Sequence, residues 1–546
     1  MIRDLSTAPL QAAPEPVDLC IVGGGAAGIT LARALAPSGL RILLLESGGA
    51  GFEVEAQAFA AGQQAAAVGD LQPPGVHYRN TLLASRLRQL GGSTGHWGGW
   101  CMPLRPIDFA HRPWVPHSGW PIDYAALVPY YRQAQAICEL GPFNYDDDLW
   151  RRAGLESLPL AAMPLRGCYW QLSPPTRFAR YAEALADHPD VHVWLHARVL
   201  KLHLTSDGGR VGAVALAGPD GRTHRLRAAR FVLAGGGIEN ARLLLLSSDE
   251  NQAGIGNGHD QVGRYFLEHP HVPVADVVPQ DLSRMRAYFE PRQLRVPAGH
   301  ARERIELIPA LRLADARQQE RGLLNGSVQL FSQLKSAPAG PGIAALQALR
   351  AAWRRGELPE DTAAVLREAL RGSGEIAGAG WRVMRGQPAR PRVLDWAVLF
   401  ARIEQAPDPA SRVRLGSERD PGGQPQAVLD WRLGETEWQT ARQLAVDAAQ
   451  VLAATGIARV RIMPWLREPG GGWHERLEGG NHHMGTTRMA ASPRQGVVDS
   501  DCRVFGVANL YVAGSSVFPT GGFSNPTLTL VALTLRLAAH LRPHPA

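Results

Sequence analysis

"VDLCIVGGGAAGITLARALAPSGLRILLLESGG", residues 17–49, is the stretch that decides the fold class. An apolar strand pattern runs into Gly23, Gly25 and Gly28, spaced G-x-G-x-x-G; a helical pattern follows to Leu35, and "RILLLE" forms a second strand pattern ending at Glu46. The spacing predicts a βαβ unit. Gly23 makes the turn, Gly25 lets backbone N–H groups approach a pyrophosphate, and Gly28 lets the helix sit close on the sheet with its N-terminus toward negative charge. Glu46, closing the second strand, is placed for a ribose hydroxyl. The unit therefore predicts dinucleotide binding, and by itself leaves FAD and NAD both open.

The 546 residues exceed a single small core, so at least two domains are expected. An apolar fraction of 45% fits a globular chain, and the net charge of +7 comes from arginines scattered among acids, with no basic block that would follow a nucleic-acid strand. Nucleic acid is set aside as a partner. Cys20, Cys101, Cys138, Cys168 and Cys502 are odd in number and form no CxxC pair, which points to neither a disulfide framework nor a zinc site. The first residues lack the charged-then-apolar order of a signal peptide, and no uncharged apolar run reaches about eighteen residues, so a cytoplasmic location with no transmembrane segment is expected.

Further along, "HVWLHARVLKLHLTSDGGRVGAVAL" (192–216) reads as strand, turn and strand, and "AARFVLAGGGIENARLLLLSS" (228–248) as strand, triple glycine and helix, a second strand-to-helix turn resembling the first. A simple NAD-dependent dehydrogenase would have completed its nucleotide domain near residue 150; this chain returns to it. Between about 340 and 390 lie helical stretches rich in Ala, Arg and Leu, where Ile343, Leu346, Leu349 and Trp353 share a face and Arg350, Arg354 and Arg355 point to water or acidic headgroups. A surface insertion packed on its own domain is the first reading of this stretch, a peripheral membrane or partner contact the second. The first seventeen residues and "RLGSERDPGGQPQA" (414–427) read as loops.

These segments, with "LRQLGGSTGHWGGW", "GWPIDYAALVPYYRQA", "VGRYFLEHPH" and "HHMGTTRM…VFGVANLYVAGSSVFPTGGFSNPTLT", resemble in their order the glucose–methanol–choline (GMC) flavin oxidoreductases, nearest the bacterial sugar and polyol dehydrogenases and pyranose oxidase. The resemblance implies an α/β fold: a doubly wound FAD-binding domain from 1–110, 190–270 and 480–546, interleaved with a mixed-sheet substrate-binding domain from 111–189 and 271–479. It implies FAD as cofactor, a small alcohol as substrate, and oxygen or another electron acceptor. The implied activity is oxidation of a secondary alcohol, a sugar, glycoside or polyol CH–OH, to a ketone; a lyase or light-driven decarboxylase on the same scaffold is the alternative.

In the family's H-x-x-G-T pattern the histidine is His482, ahead of Gly485 and Thr486. A neutral imidazole there suits removal of the hydroxyl proton as hydride leaves the alcohol carbon. Its neighbour His483 reads as a structural residue, as do His269 and His271, and no third ligand makes the pair a metal site. Asn525 falls at the family's second catalytic position, where its amide could hold the substrate oxygen; an Asn before Pro526 could instead cap a turn. Gly91, Gly92, Ser93 and Thr94 are expected to bring donors to the flavin, with Val199, Gly514, Ser515 and Pro526 as further cofactor contacts. His96 stands where some relatives bind the flavin covalently and others, with the same His-Trp, do not.

Overall fold

A computed structural model describes residues 1–12, 15–65, 81–152, 154–174, 178–249, 253–295, 304–467 and 473–543. A six-stranded sheet carries the βαβ unit, all of its pairs parallel. Its order is Ile2–Asp4, Val191–Leu195, Ile42–Leu45, Val17–Val22, Ala228–Leu233 and Leu510–Val512. Ile42–Leu45 and Leu510–Val512 are buried throughout, as the apolar runs of a parallel sheet covered on both faces require. The helix Ala26–Leu35 follows the first strand, and Gly236–Leu246 follows Ala228–Leu233, so the two glycine turns sit side by side at the carboxyl ends of neighbouring strands. The predicted hairpin is present as Arg198–Leu204 against Val211–Ala217.

A second sheet has nine strands among the described residues. Leu165–Leu172 pairs antiparallel with Arg304–Leu313, and Trp100–Cys101 with the end of Leu165–Leu172. This register brings Trp100 and Trp170 together, ring centroids 5.7 Å apart. Residues 276–278 and 330–399 cluster as a compact unit of their own, apart from the unit that holds the parallel sheet. It contains the helices Pro341–Arg355, Thr362–Arg371 and Ser373–Met384. Of the face expected on the first, Ile343 is buried, whereas Leu346 and Trp353 are exposed.

Two stretches read as loops are strands. Ile2–Asp4 extends the parallel sheet by pairing with Val191–Leu195, a partner almost two hundred residues away that no local pattern could announce. "RLGSERDPGGQPQA" lies within a hairpin, Arg412–Arg419 against Pro425–Asp430, whose Gly- and Pro-rich turn masked the strands on either side. All five thiols are buried. No helix among the described residues is long and apolar enough to cross a membrane.

A buried ion pair ties distant segments of the first unit. Arg112 donates from Nη1 and Nη2 to Glu404 at 2.7 and 2.6 Å, with side chains 1% and 0% exposed, and Glu404 also accepts from the Asn325 N–H at 2.9 Å. Burial, with repulsion from Glu404, pushes the nearby Asp108 carboxyl up to about 6. Removing one partner of such a pair strands the other charge, so Arg112→Met is expected to cost about 3–5 kcal/mol. Denaturant unfolding checks this, and Arg112→Met with Glu404→Leu should recover part of the loss, because the Glu404 charge is no longer stranded while Asp108 still loses its Arg112 partner and the Asn325 N–H its acceptor.

Candidate functional site

A cavity of about 510 Å³ lies in the first unit. It is lined by Gly23, Gly25 and Glu46, by Gly92, Ser93, Thr94, His96 and Val199, by Gly514 and Ser515, and by His482, His483, Asn525 and Pro526. Every residue singled out in the sequence for cofactor or chemistry thus borders one space, with the exceptions of Gly91, whose N–H is taken by the Gly24 carbonyl at 2.8 Å, and Gly28. That glycine sits behind the turn, where a methyl group would run into the Gly23 carbonyl, so it serves the packing of the helix.

Open space and a tight approach meet at the glycine turn. A side chain on Gly23, at φ +114°, would stand 2.6 Å from the Ala234 carbonyl oxygen of the second turn, whereas the space beside Gly25 is free of protein atoms for 4 Å. The helix beginning at Ala26 has no side-chain cap, which leaves its first N–H groups to the cavity. The Glu46 carboxylate is buried and accepts from the Gly24 and Gly48 N–H groups at 2.8 and 2.9 Å. Burial pushes its pKa up against the pull of those bonds and of Arg88. Arg86 and Arg88 both reach Glu239 in the first turn of the second helix, at 3.1 and 2.7 Å, and Arg242 links Glu239 to Asp420 at 3.2 and 2.6 Å. Burial alone would raise the pKa of Glu239, but the three guanidinium groups outweigh it and hold the carboxylate well below its usual range. The cavity lining here holds Arg86, Arg88, Arg198 and Arg242 against Glu46, Glu239 and Asp420, a small excess of positive charge.

The Thr94 hydroxyl donates to the Gly91 carbonyl at 2.6 Å, fixing the short 3-10 turn that ends at His96. The His96 ring makes no hydrogen bond among the described residues, and partial burial lowers its pKa. Gly514 adopts φ +112°, and Ser515 donates to the His483 carbonyl at 2.8 Å, joining the last strand's turn to the histidine pair.

Five residues form one chain of hydrogen bonds. Arg402 Nη1 donates to Asn525 Oδ1 at 3.3 Å; Asn525 Nδ2 lies 3.0 Å from His482 Nε2; His482 Nδ1 lies 2.8 Å from His269 Nδ1; and His269 Nε2 lies 3.2 Å from the Gly521 carbonyl oxygen. Its two ends fix every direction between them. Guanidinium has only donors and a carbonyl only accepts, so Asn525 must turn its amide nitrogen to His482, and His269 must hold its proton on Nε2. His482 then donates from Nδ1 and is unprotonated on Nε2, where its lone pair accepts from the Asn525 Nδ2–H beside the cavity. Burial, with the charge of Arg402 added, pushes His269 down to about 4; burial, the neighbouring histidines and Arg402 hold His482 well below the ordinary histidine value. Both are neutral near pH 7. The Asn525 side chain is engaged on both sides and does not cap the helix that begins at Thr527. His483 points elsewhere, its ring 5.8 Å from that of Phe266, and burial pushes it down to about 3.

Sequence reasoning missed three members of this arrangement. His269, read as structural, bonds directly to His482. Glu268, fully buried, accepts from the backbone N–H groups of His269 and His482, each at 2.8 Å, and so aligns the two rings. Arg402 lies over the rings of Trp100 and Trp170 at 4.1 and 5.5 Å with no carboxylate partner among the described residues, and burial pushes its pKa down to about 9. An acid inside "YFLEHPHV" and an arginine inside the strand "AVLFARI" were the available signals, since buried charges need a reason.

Residues 18–371 match the model of the FAD dependent oxidoreductases, and residues 407–534 that of the C-terminal domain of GMC oxidoreductases. The chain is an FAD-dependent GMC oxidoreductase. Similar curated proteins are the fructose dehydrogenase large subunit of Gluconobacter japonicus, 24% identical with 83% of this chain and 80% of that one covered, and the 2-methyl-1,2-propanediol dehydrogenase of Mycolicibacterium austroafricanum, 24% identical with 83% and 81% covered. The 6'''-hydroxyparomomycin C oxidase of Streptomyces lividus is 25% identical over 96% of this chain and 91% of its own. Among solved structures, a formate oxidase aligns with a TM-score of 0.56 at 18% identity, covering 97% of this chain and 98% of that one, which shows the fold. The cavity of this GMC oxidoreductase fits FAD: an open face at Gly25, an uncapped helix N-terminus and a positive wall suit a pyrophosphate.

The neutral buried histidines make the stability of the oxidoreductase pH-dependent. His483 stays unprotonated in the fold down to about 3, while the unfolded chain takes up a proton near 6.5. Its contribution is complete above pH 6.5 and is lost as the pH falls from there toward 3. The slope is at most about 1.4 kcal/mol per pH unit for one such group. Chemical unfolding between pH 7 and 4 should therefore show a shallower acid decline for His483→Gln than for the unmodified protein.

Proposed function

We propose that this flavoprotein oxidises a secondary alcohol, a sugar, glycoside or polyol CH–OH, to the ketone, with His482 as general base. The observation that carries the reading is His482 Nε2, which the chain of bonds leaves unprotonated and accepting from the Asn525 amide at the cavity, a bond that an alcohol O–H can replace. The alcohol loses two electrons and a hydrogen as hydride from carbon and a proton from oxygen; bound FAD supplies the hydride acceptor at N5. The alcohol O–H takes the place of the Asn525 N–H on His482 Nε2, which receives the proton, and the Asn525 Nδ2–H so released donates to the substrate oxygen and holds it in line for that transfer. The names of relatives, for fructose, 2-methyl-1,2-propanediol and 6'''-hydroxyparomomycin C, support a substrate with several hydroxyl groups; the propanediol has only a primary and a tertiary one, so the choice of a secondary alcohol does not rest on them.

Segments 1–110, 190–270 and 480–546 form the FAD-binding part in this reading, and 111–189 with 271–479 the substrate part. Gly23, Gly25, Gly92, Ser93, Thr94, Val199, Gly514, Ser515 and Pro526 contact the cofactor, and Gly28 supports them from behind. Glu46 receives the ribose hydroxyl.

His482→Ala is expected to slow anaerobic flavin reduction by roughly 10²–10⁴-fold with FAD retained. His483→Ala should leave that step far less affected, and the reverse result would overturn the assignment. Because burial, the neighbouring histidines and, after them, Arg402 lower the basicity of His482, the acid limb of the reduction rate should lie below pH 6.5 and move upward in Arg402→Leu. Alcohols that leave the flavin oxidised under all these conditions would point to the non-redox alternative.

His96 lines the same cavity with a neutral ring, the form able to bond the flavin 8α-methyl carbon. His96→Ala is expected to lower activity. Acid precipitation separates the two modes: a yellow pellet and a mass gain of one FAD, both lost in the variant, mark a covalent bond, and free FAD in the supernatant marks a packing contact.

A further inference from the structure

Trp353, Leu358, Leu370 and Met384 are 81%, 81%, 75% and 78% exposed. They are not scattered instances. Seventeen large apolar side chains are exposed among the described residues, and twelve of them belong to the unit formed by 276–278 and 330–399. Single exposed apolar residues are ordinary, but their concentration in so short a part of a chain marks a contact surface.

The three helices do not need these side chains to hold one another. The Glu375 carboxylate accepts from the Gly340 and Gly342 N–H groups at 2.9 and 3.1 Å, and Gly342 and Gly372 pack backbone to backbone, where neither has room for a side chain. Thr362–Arg371 has no buried residue at all. Its Leu366 and Leu370 share one exposed face, each followed directly by an exposed arginine, Arg367 and Arg371. On Ser373–Met384 the exposed Trp381 carries the Arg385 guanidinium 3.6 Å from its ring centroid, with Met384 one turn on. On Pro341–Arg355 the exposed Leu346 and Trp353 alternate with Arg350 and Arg354.

Charge decides what this surface fits. Residues 340–392 hold nine arginines and five acids. Glu375 is committed to the helix start, Glu357 pairs with Arg355 and Glu368 with Arg371, while Arg350, Arg354 and Arg367 have no ion-pair partner among the described residues. A protein partner's apolar patch would leave these cations facing apolar atoms. A bilayer surface takes both groups at once, because Leu, Trp and Met enter the acyl boundary while the arginine stems lie along it and bring their heads to phosphates.

We propose that the three-helix unit docks this oxidoreductase on an anionic lipid surface, lying on the membrane rather than crossing it. The occupant is the acidic phospholipid headgroup layer. None of these side chains lines the cavity, so the inference stands independently of the alcohol reading.

Flotation of the FAD-loaded full chain with vesicles tests it. The protein should float with phosphatidylcholine vesicles in which about a third of the lipid is phosphatidylglycerol, should stay behind with phosphatidylcholine alone, and should detach as salt is raised. Trp353→Ser, Leu370→Ser and Met384→Ser combined should weaken partitioning at least about tenfold with flavin absorbance and turnover intact. Arg350→Glu, Arg354→Glu and Arg367→Glu combined should abolish it. No flotation of the unmodified protein, equal flotation of the serine variant, or self-association in light scattering that the serine variant removes would each overturn the proposal.

Discussion

No side chain fits where the first two glycine turns meet. Gly23 lies against the Ala234 carbonyl, and a single methyl group there would have to displace backbone belonging to the neighbouring strand. This steric constraint brings the carboxyl ends of Val17–Val22 and Ala228–Leu233 together at one spot, and the cavity opens from it. The same constraint recurs where Gly237 meets the His483 carbonyl, while arginine side chains line other parts of the wall. At Gly23 backbone faces backbone, and the positions of both helix N-termini follow from it.

Local signals carried the part of the fold that is local. The G-x-G-x-x-G turn, the strands on either side and the helix to Leu35 are all present as the residues imply, since each is set by neighbours within a few positions. The strand Ile2–Asp4 and the hairpin around "DPGG" were read as loops, because a strand of three residues, or one ending in a Gly-rich turn, draws its identity from its distant partner. The candidate site divides in the same way. His482 and Asn525 stand out in motifs, while Arg402 and His269 acquire their part through space, from a strand and a loop that sequence separation hides.

Polarity in the histidine cluster is a property of the whole chain of bonds. His482 alone could carry its proton on either nitrogen; it is the arginine at one end and the backbone carbonyl at the other that remove the choice. Glu268 performs a different task, gripping the main chain beneath both rings so that their separation is set by backbone geometry. Burial then keeps each ring neutral, since an imidazolium here would be poorly solvated and close to a guanidinium.

The parallel sheet draws its strands from residues 2–4, 17–22, 42–45, 191–195, 228–233 and 510–512. During synthesis on the ribosome the first five are available long before the sixth, and Ala228–Leu233 must wait with one edge unpaired until Leu510–Val512 emerges. His482 and Asn525 arrive in that same later stretch. A nascent chain can thus form the glycine turn early, yet the cavity is enclosed only after the segment carrying Leu510–Val512 has followed, and throughout that interval the apolar edge of Ala228–Leu233 is open to pairing with another chain.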